Sequence, residues 1–288
     1  MNRMRTEIAP RVAVLQLPGV NCEYETRAVL RMAGLDAEVF RWNLPARDLE
    51  SFDAYVIPGG FSYEDRIRAG AVAAKAGALD VVGRAAEAGK PVLGVCNGAQ
   101  ILVEAGLVPG RTPGRVELAL APNRGGWRGY YCNWVYVKVH KEGRETAFTS
   151  RFEDGELVPV PVAHAEGRFT VRDGAAFREW ADAGQVPLRY VSPEGDEEPG
   201  FPHNPNRSLL GAAGVTNPAG NVLAFMPHPE RAAWLRQVPV STAGPWGDRR
   251  REAVRDREAL EGPGPGFKIF QSLRDFLRWD AQQTREER

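Results

Sequence analysis

The stretch Pro91-Val92-Leu93-Gly94-Val95-Cys96-Asn97-Gly98-Ala99-Gln100 decides how this chain is read. An apolar run ends at a cysteine with glycines two residues before and after it, and Ala99 to Val103 continues with helical character. That is the pattern of a strand, a sharp turn and a helix. A side chain at such a turn takes a strained backbone, and the flanking glycines relieve crowding around it. The thiol then projects above the end of a sheet. The helix behind it points free N–H groups and its positive end at the sulfur, which favours thiolate. A cysteine among apolar residues is ordinarily a small buried hydrophobe; here the glycine frame turns the reading towards a nucleophile.

Working outward, Val12 to Leu17 is a continuous apolar run closed by Pro18-Gly19, and Ala37 to Phe40 and Ala54 to Ile57 are further strand candidates. Glu23 to Met32 and Arg66 to Ala88 read as helices between them. Strands alternating with helices predict an open, mostly parallel sheet flanked by helices, an α/β fold. Sites in such sheets lie beyond the carboxyl ends of the strands, where Pro18–Tyr24, Pro58–Asp65 and Cys96–Gln100 all fall. After Gly106 the pattern changes. Trp134 to Val139 alternates, and Leu157–Val162, Pro187–Val191, Leu209–Val215 and Val222–Met226 read as strands. Arg249 to Glu261 reads as a solvated helix, Gly262 to Gly266 as a stiff connector, and Phe267 to Trp279 as a closing amphipathic helix with Phe270, Leu273 and Leu277 inward.

Composition narrows the function. The 288 residues are 43% apolar and 26% charged with formal net charge zero, which argues against nucleic acid or an anionic membrane as the main partner. No apolar run approaches a membrane span, and Met1-Asn2-Arg3-Met4-Arg5 has no signal-peptide core behind it. Cys22, Cys96 and Cys132 are dispersed, which fits a reducing cytoplasm, and no metal-binding spacing occurs. Gly83 to Lys90 imitates a phosphate loop. It has five residues between its glycines where four are needed, and Pro91 where Ser or Thr would hold magnesium.

A cysteine nucleophile needs a base, and the base an orienting group. Of His140, His164, His203 and His228, the last follows an apolar strand and so reaches the same sheet edge as Cys96. Pro227 and Pro229 favour an extended segment, in which His228 and Glu230 share a side and the carboxylate can hold the imidazole. The Asn97 backbone N–H is one oxyanion donor, and Gly59-Gly60-Phe61 offers a second. Cys22 has no base in view and reads as packing or loop anchoring. Cys132, near Trp127 and Tyr130, reads as structural or interfacial.

Cys96 with His228 and Glu230 resembles the triad of class I glutamine amidotransferases. Further segments narrow the resemblance: Pro18-Gly19-Val20-Asn21-Cys22, Pro58-Gly59-Gly60-Phe61-Ser62-Tyr63, Asp65 with Arg68-Ala69-Gly70, His164-Ala165-Glu166-Gly167-Arg168-Phe169, Asn204-Pro205-Asn206, Gly214-Val215-Thr216-Asn217 and Met226 to Arg231. In that order, over about residues 10 to 232, they resemble the glutaminase subunits of phosphoribosylformylglycinamidine synthase. No internal repeat or clear linker divides residues 1–288, which read as one domain with 233–288 as a C-terminal extension, and the resemblance implies that its fold is the flavodoxin-like amidotransferase type. It implies that Cys96, His228 and Glu230 hydrolyse glutamine, that Gly60 or Phe61 and Asn97 hold the oxyanion, and that Gln100 helps hold the substrate. Gly59 and His164 are candidate substrate contacts, and the His164 segment equally suits a gate, a partner surface or a plain polar turn. No cofactor or metal is expected in this chain. ATP and magnesium belong to the PurL-type synthetase subunit, with a small PurS-type subunit as a further candidate partner.

Two residues depart from the family pattern. Glu64 stands where glycine is common after the tyrosine, and Arg207 replaces the glycine that usually follows Asn-Pro-Asn. Residues 233 to 266 lengthen the chain, and contacts made elsewhere by the small subunit are a role open to them. Phe61, Tyr63, Trp127 and Tyr130 read either as partner surface or as core. Competing readings are a glutaminase serving another acceptor, a stand-alone cysteine hydrolase and a non-catalytic relic. The family-specific loops, the absence of a histidine directly after Cys96, and the intact triad speak against each in turn.

Overall fold

The computed structural model describes residues 9–286 apart from 113, 143 and 198; Met1 to Arg5, read above for a signal peptide, lie outside the described residues. The elements run β1 (Arg11–Gln16), α1 (Glu23–Met32), β2 (Asp36–Arg41), β3 (Ala54–Ile57), α2 (Gly77–Glu87), β4 (Val92–Val95) and α3 (Asn97–Glu104). There follow β5 (Ala119–Ala121), β6 (Tyr131–Val139), β7 (Leu157–His164), β8 (Arg168–Thr170), α4 (Gly174–Asp182) and β9 (Leu188–Val191). The chain closes with β10 (Ala212–Thr216), β11 (Val222–Phe225), α5 (Gly244–Glu252), α6 (Arg257–Leu260) and α7 (Phe267–Glu286).

Nine strands form one sheet in the order β2-β1-β3-β4-β11-β10-β9-β6-β7. The half from β2 to β11 is parallel, and the half from β10 to β7 is antiparallel. Every residue of β3, β4 and β11 is buried. Their unbroken apolar runs are what strands covered by helices on both faces require. Register places Ile57 beside Gly94, and Val95 beside Phe225. The loops after these three strands therefore leave the sheet at one edge. From the far side of the sheet β7 returns over that edge: the Ala163 carbonyl approaches Cys96 Sγ at 3.5 Å, and Pro161 O accepts the His228 N–H at 2.8 Å. Two prolines are tolerated in β7 because it is the sheet's edge strand.

Several expectations need correction. Arg66 to Ala88 is not one helix, since α2 begins only at Gly77. Gly70, at φ +80°, lies so close to α3 that a Cβ there would meet the Gln100 backbone at 2.7 Å, and this contact breaks the periodic run. Leu209 to Val215 starts as a 3-10 turn, and the strand begins at Ala212. The charged run from Arg249 to Glu261 is solvated but split. Asp256 accepts from the Ala259 N–H at 3.0 Å and caps a second short helix, α6. Gly262 to Gly266 is a packed crossing: Gly264 and Gly266 donate at 2.8 Å to the carbonyls of Ala233 and Ala232. Short β5, β8 and α4 gave no legible pattern; β5 and β8 form a separate antiparallel pair. The closing helix is as expected, with Phe270, Leu273 and Leu277 buried in the main core.

Candidate active site

Cys96 occupies the turn between β4 and α3 with φ 50° and ψ −106°, a conformation that L-residues rarely adopt. Its neighbours make the turn possible. A Cβ at Gly98 would meet Ile57 O at 1.8 Å, and one at Gly94 would meet Gly98 O at 2.5 Å. The first turn of α3 thus rests directly on the backbones of β3 and β4. Cys96 is anchored through its own N–H, which donates to Phe225 O at 2.8 Å on the adjacent strand. Its side chain is nearly covered.

His228 and Glu230 lie just past β11. Glu230 Oε1 is 2.6 Å from His228 Nδ1, and both side chains are buried. The pairing arises by a different route from the extended segment expected above. Pro229 to Ala232 forms a 3-10 turn with Pro229 at its first position, and the turn brings the carboxylate back to the ring. Burial pulls the His228 pKa down, but Glu230, Cys96 and Cys22 outweigh it and hold the imidazole well above its usual value. The imidazolium is therefore the favoured form beside the cysteine.

Opposite the elbow, Gly59 touches the histidine: a Cβ there would lie 2.7 Å from His228 Cε1 and 3.2 Å from Cys22 Sγ. Glycine at this position makes room for the imidazole. The Phe61 N–H donates to Gly19 O at 2.8 Å, so Phe61 is occupied as an oxyanion donor and Gly60 remains the candidate. Asn97 begins α3, where backbone N–H groups lack helical partners. Its side chain ties the loop down, accepting from Ser62 N at 3.0 Å and donating to Asp65 Oδ1 at 3.2 Å and Gln100 Oε1 at 2.8 Å. Gln100 also donates to Glu166 O at 2.7 Å, so both ends of its amide are held by the protein.

His164 ends β7 and is fully buried. Its Nδ1 meets Asn123 Oδ1 at 3.1 Å, and its Nε2 has no partner. Burial, and then the charge of His228, push its pKa down to about 3, so the ring is neutral. Asn123 accepts there, which makes Nδ1 the donor and leaves Nε2 an unoccupied acceptor.

Three groups take places at the site that the sequence alone did not assign to them. Asp65 and Glu166 bring carboxylates to the Asn97–Gln100 side of the elbow; burial, then Glu166, raises the Asp65 pKa. Asn123 orients His164 from a loop more than forty residues away in sequence (a separation of 41). Cys22, read as packing or loop anchoring, is buried and also lies against the catalytic candidates: its Sγ, a His228 ring nitrogen and a Glu230 oxygen are all within 4.8 Å of one another. Cys132 is exposed on β6. Phe61 and Tyr130 are about half exposed, with ring centroids 6.1 Å apart, so these two aromatics belong to the surface.

The cysteine elbow on a parallel sheet, facing a histidine–glutamate turn, puts the chain in the class of glutamine amidotransferases. The family model for the CobB/CobQ-like glutamine amidotransferase domain matches residues 9–277. Within that class, the chain is 42% identical over 273 residues to phosphoribosylformylglycinamidine synthase subunit PurQ of Methanothrix thermoacetophila, covering 93% of this chain and 98% of the relative. It is 44% identical over 223 residues to the same subunit of Methanopyrus kandleri, covering 77% and 89%. A chain in the solved structure of PurLQS from Thermotoga maritima superposes with a TM-score of 0.68 at 32% identity, over 94% of this chain and 100% of that one. The chain belongs to the PurQ family of phosphoribosylformylglycinamidine synthase subunits.

Proposed function

We propose that this chain releases ammonia from glutamine and delivers it to a PurL-type synthetase subunit. That partner, with ATP and magnesium, converts formylglycinamide ribonucleotide to formylglycinamidine ribonucleotide in de novo purine biosynthesis. The observation that carries the proposal is Cys96 at a positive-φ elbow beside the buried His228–Glu230 pair, 2.6 Å apart, at the ends of neighbouring parallel strands.

Cys96 Sγ attacks the side-chain amide carbon of glutamine. The oxyanion is held by the backbone N–H groups of Asn97 and Gly60. His228, carrying the proton taken from the thiol, gives it to the departing ammonia, and Glu230 keeps the ring oriented. Water activated by His228 then hydrolyses the thioester to glutamate. Asp65 and Glu166 supply the negative charge that suits the substrate's α-ammonium group. Gln100 and His164 shape the wall, Gln100 by fixing Asn97 and the Glu166 backbone. No metal or cofactor is required for these steps. Residues 1–288 act as one domain, a reading supported by α7 sharing its core with β1 and α1. Among the described residues no helix is long and apolar enough to cross a membrane, and a cytoplasmic location suits the three free thiols.

The test is glutamate release by the purified chain, alone and with its synthetase partner, the ribonucleotide and ATP. Release that rises with the partner and disappears in Cys96→Ala is expected. Release indifferent to the partner would mean another acceptor.

A further inference from the structure

Cys22 ends the loop between β1 and α1, and its side chain faces the His228 turn. The guanidinium Nη2 of Arg231 donates to its sulfur at 3.1 Å, and the thiol donates to Asn21 Oδ1 at 3.2 Å. Arg231 is held in turn by Glu25 of α1, Nε to Oε1 at 2.9 Å. The Cys22 backbone N–H donates to Gly59 O at 3.2 Å, so the thiol and Gly59 are fixed to each other as well as to the ring. Only the missing Cβ of Gly59 lets sulfur and imidazole approach: that atom would fall 3.2 Å from one and 2.7 Å from the other.

We infer that Cys22 is a positioning residue for the catalytic histidine, polarised by Arg231 and pressed against the imidazole edge that Glu230 also holds. Cys22 itself does not touch the substrate carbon. It fixes the ring plane while the proton moves between Cys96, His228 and ammonia. Glu230 alone fixes one nitrogen and leaves the ring free to swing about that bond; a second contact on the same edge removes the swing. The charged and titratable groups facing His228 are Cys96 from the elbow, Glu230 and Arg231 from its own turn, Cys22 from the loop before α1, His164 from β7 and Tyr130 from the loop before β6. Cys22 favours the protonated ring, so its removal lowers the His228 pKa. The alkaline limb of kcat/KM, which reports loss of the imidazolium proton, then moves to lower pH.

This inference rests on the glutaminase reading above, and the experiment separates the two. Glutamate release is measured across pH in the assembled complex for wild type, Cys96→Ala, Cys22→Ala, Cys22→Val and Cys22→Ser. Absence of Cys96-dependent release in wild type overturns the glutaminase reading itself. With that release present, Ala and Val remove the polar thiol with opposite packing errors. Both are expected to lower kcat about tenfold at unchanged KM and to shift the alkaline limb down, whereas Ser restores both. Ala or Val with wild-type kcat and limb overturns the inference. So does a loss shared by Ser that follows the thermal midpoint with no movement of the limb.

Discussion

Glu64 and Arg207, the two residues that depart from the family's glycines, both sit at positive φ, 58° and 63°. Glycine takes that conformation freely, whereas an L-residue is strained there by about 1–2 kcal/mol. Glu64 offsets part of this with an exposed ion pair to Arg66, a contact of little net worth. Glu64→Gly and Arg207→Gly should therefore each stabilise the fold by about 0.5–1 kcal/mol, seen as a rise of roughly 1–4 °C in thermal midpoint. His164 gives a pH prediction. Its folded pKa is depressed to about 3, so the unfolded chain binds more protons below its ordinary value near 6.5. Stability should fall as pH drops from about 6.5 towards 3, and His164→Gln should flatten that slope in urea titrations. Asp65→Asn should raise KM for glutamine several-fold with a smaller change in kcat, as the substrate-binding role proposed for its charge requires. Cys96, His228 and Glu230 were legible because each stands in a local pattern of glycine or proline. The Arg231–Cys22 contact was not, because 209 residues separate its partners and only the assembled sheet brings them together.

At the scale of elements, the strand ends set the site. Gly98→Ala would drive a methyl into the Ile57 carbonyl, 1.8 Å away, and push α3 off β3. Overpacking against backbone costs about 1–3 kcal/mol or more, and here it also moves Cys96. Glutamate release should fall by at least tenfold while circular dichroism stays native; unchanged activity would mean that the elbow does not need this contact. The parallel strands were readable from their unbroken apolar runs, and α1 and the closing helix from their periodicity. The segment from Arg66 to Ala76 misled because small residues carry a helical rhythm that costs nothing to abandon once Gly70 docks on α3. Likewise the His228 turn pairs its residues through a 3-10 bend, a tertiary outcome that proline spacing alone leaves open.

For the whole molecule, the C-terminal helix is part of the core. Phe270 is fully buried and Leu273 and Leu277 nearly so, within the cluster that includes β1 and α1. Phe270→Ala should cost about 3–5 kcal/mol in chemical unfolding, although it lies far from Cys96 in sequence. Residues 233–266 fold back over the His228 turn: Gln237 Nε2 donates to Glu230 O at 3.3 Å, and Leu235 N donates to Gly262 O at 2.9 Å. The extension therefore braces the His228 turn from outside, a role that its charge-rich sequence did not display. In the proposed reaction Cys96 alone carries the acyl group. The complex should be quenched during glutamine turnover and its cysteine peptides weighed. A γ-glutamyl adduct on the Cys96 peptide, absent from those of Cys22 and Cys132 and lost in Cys96→Ala, is the expected result. An adduct on Cys22, or turnover that survives Cys96→Ala, would remove Cys96 from the role of nucleophile.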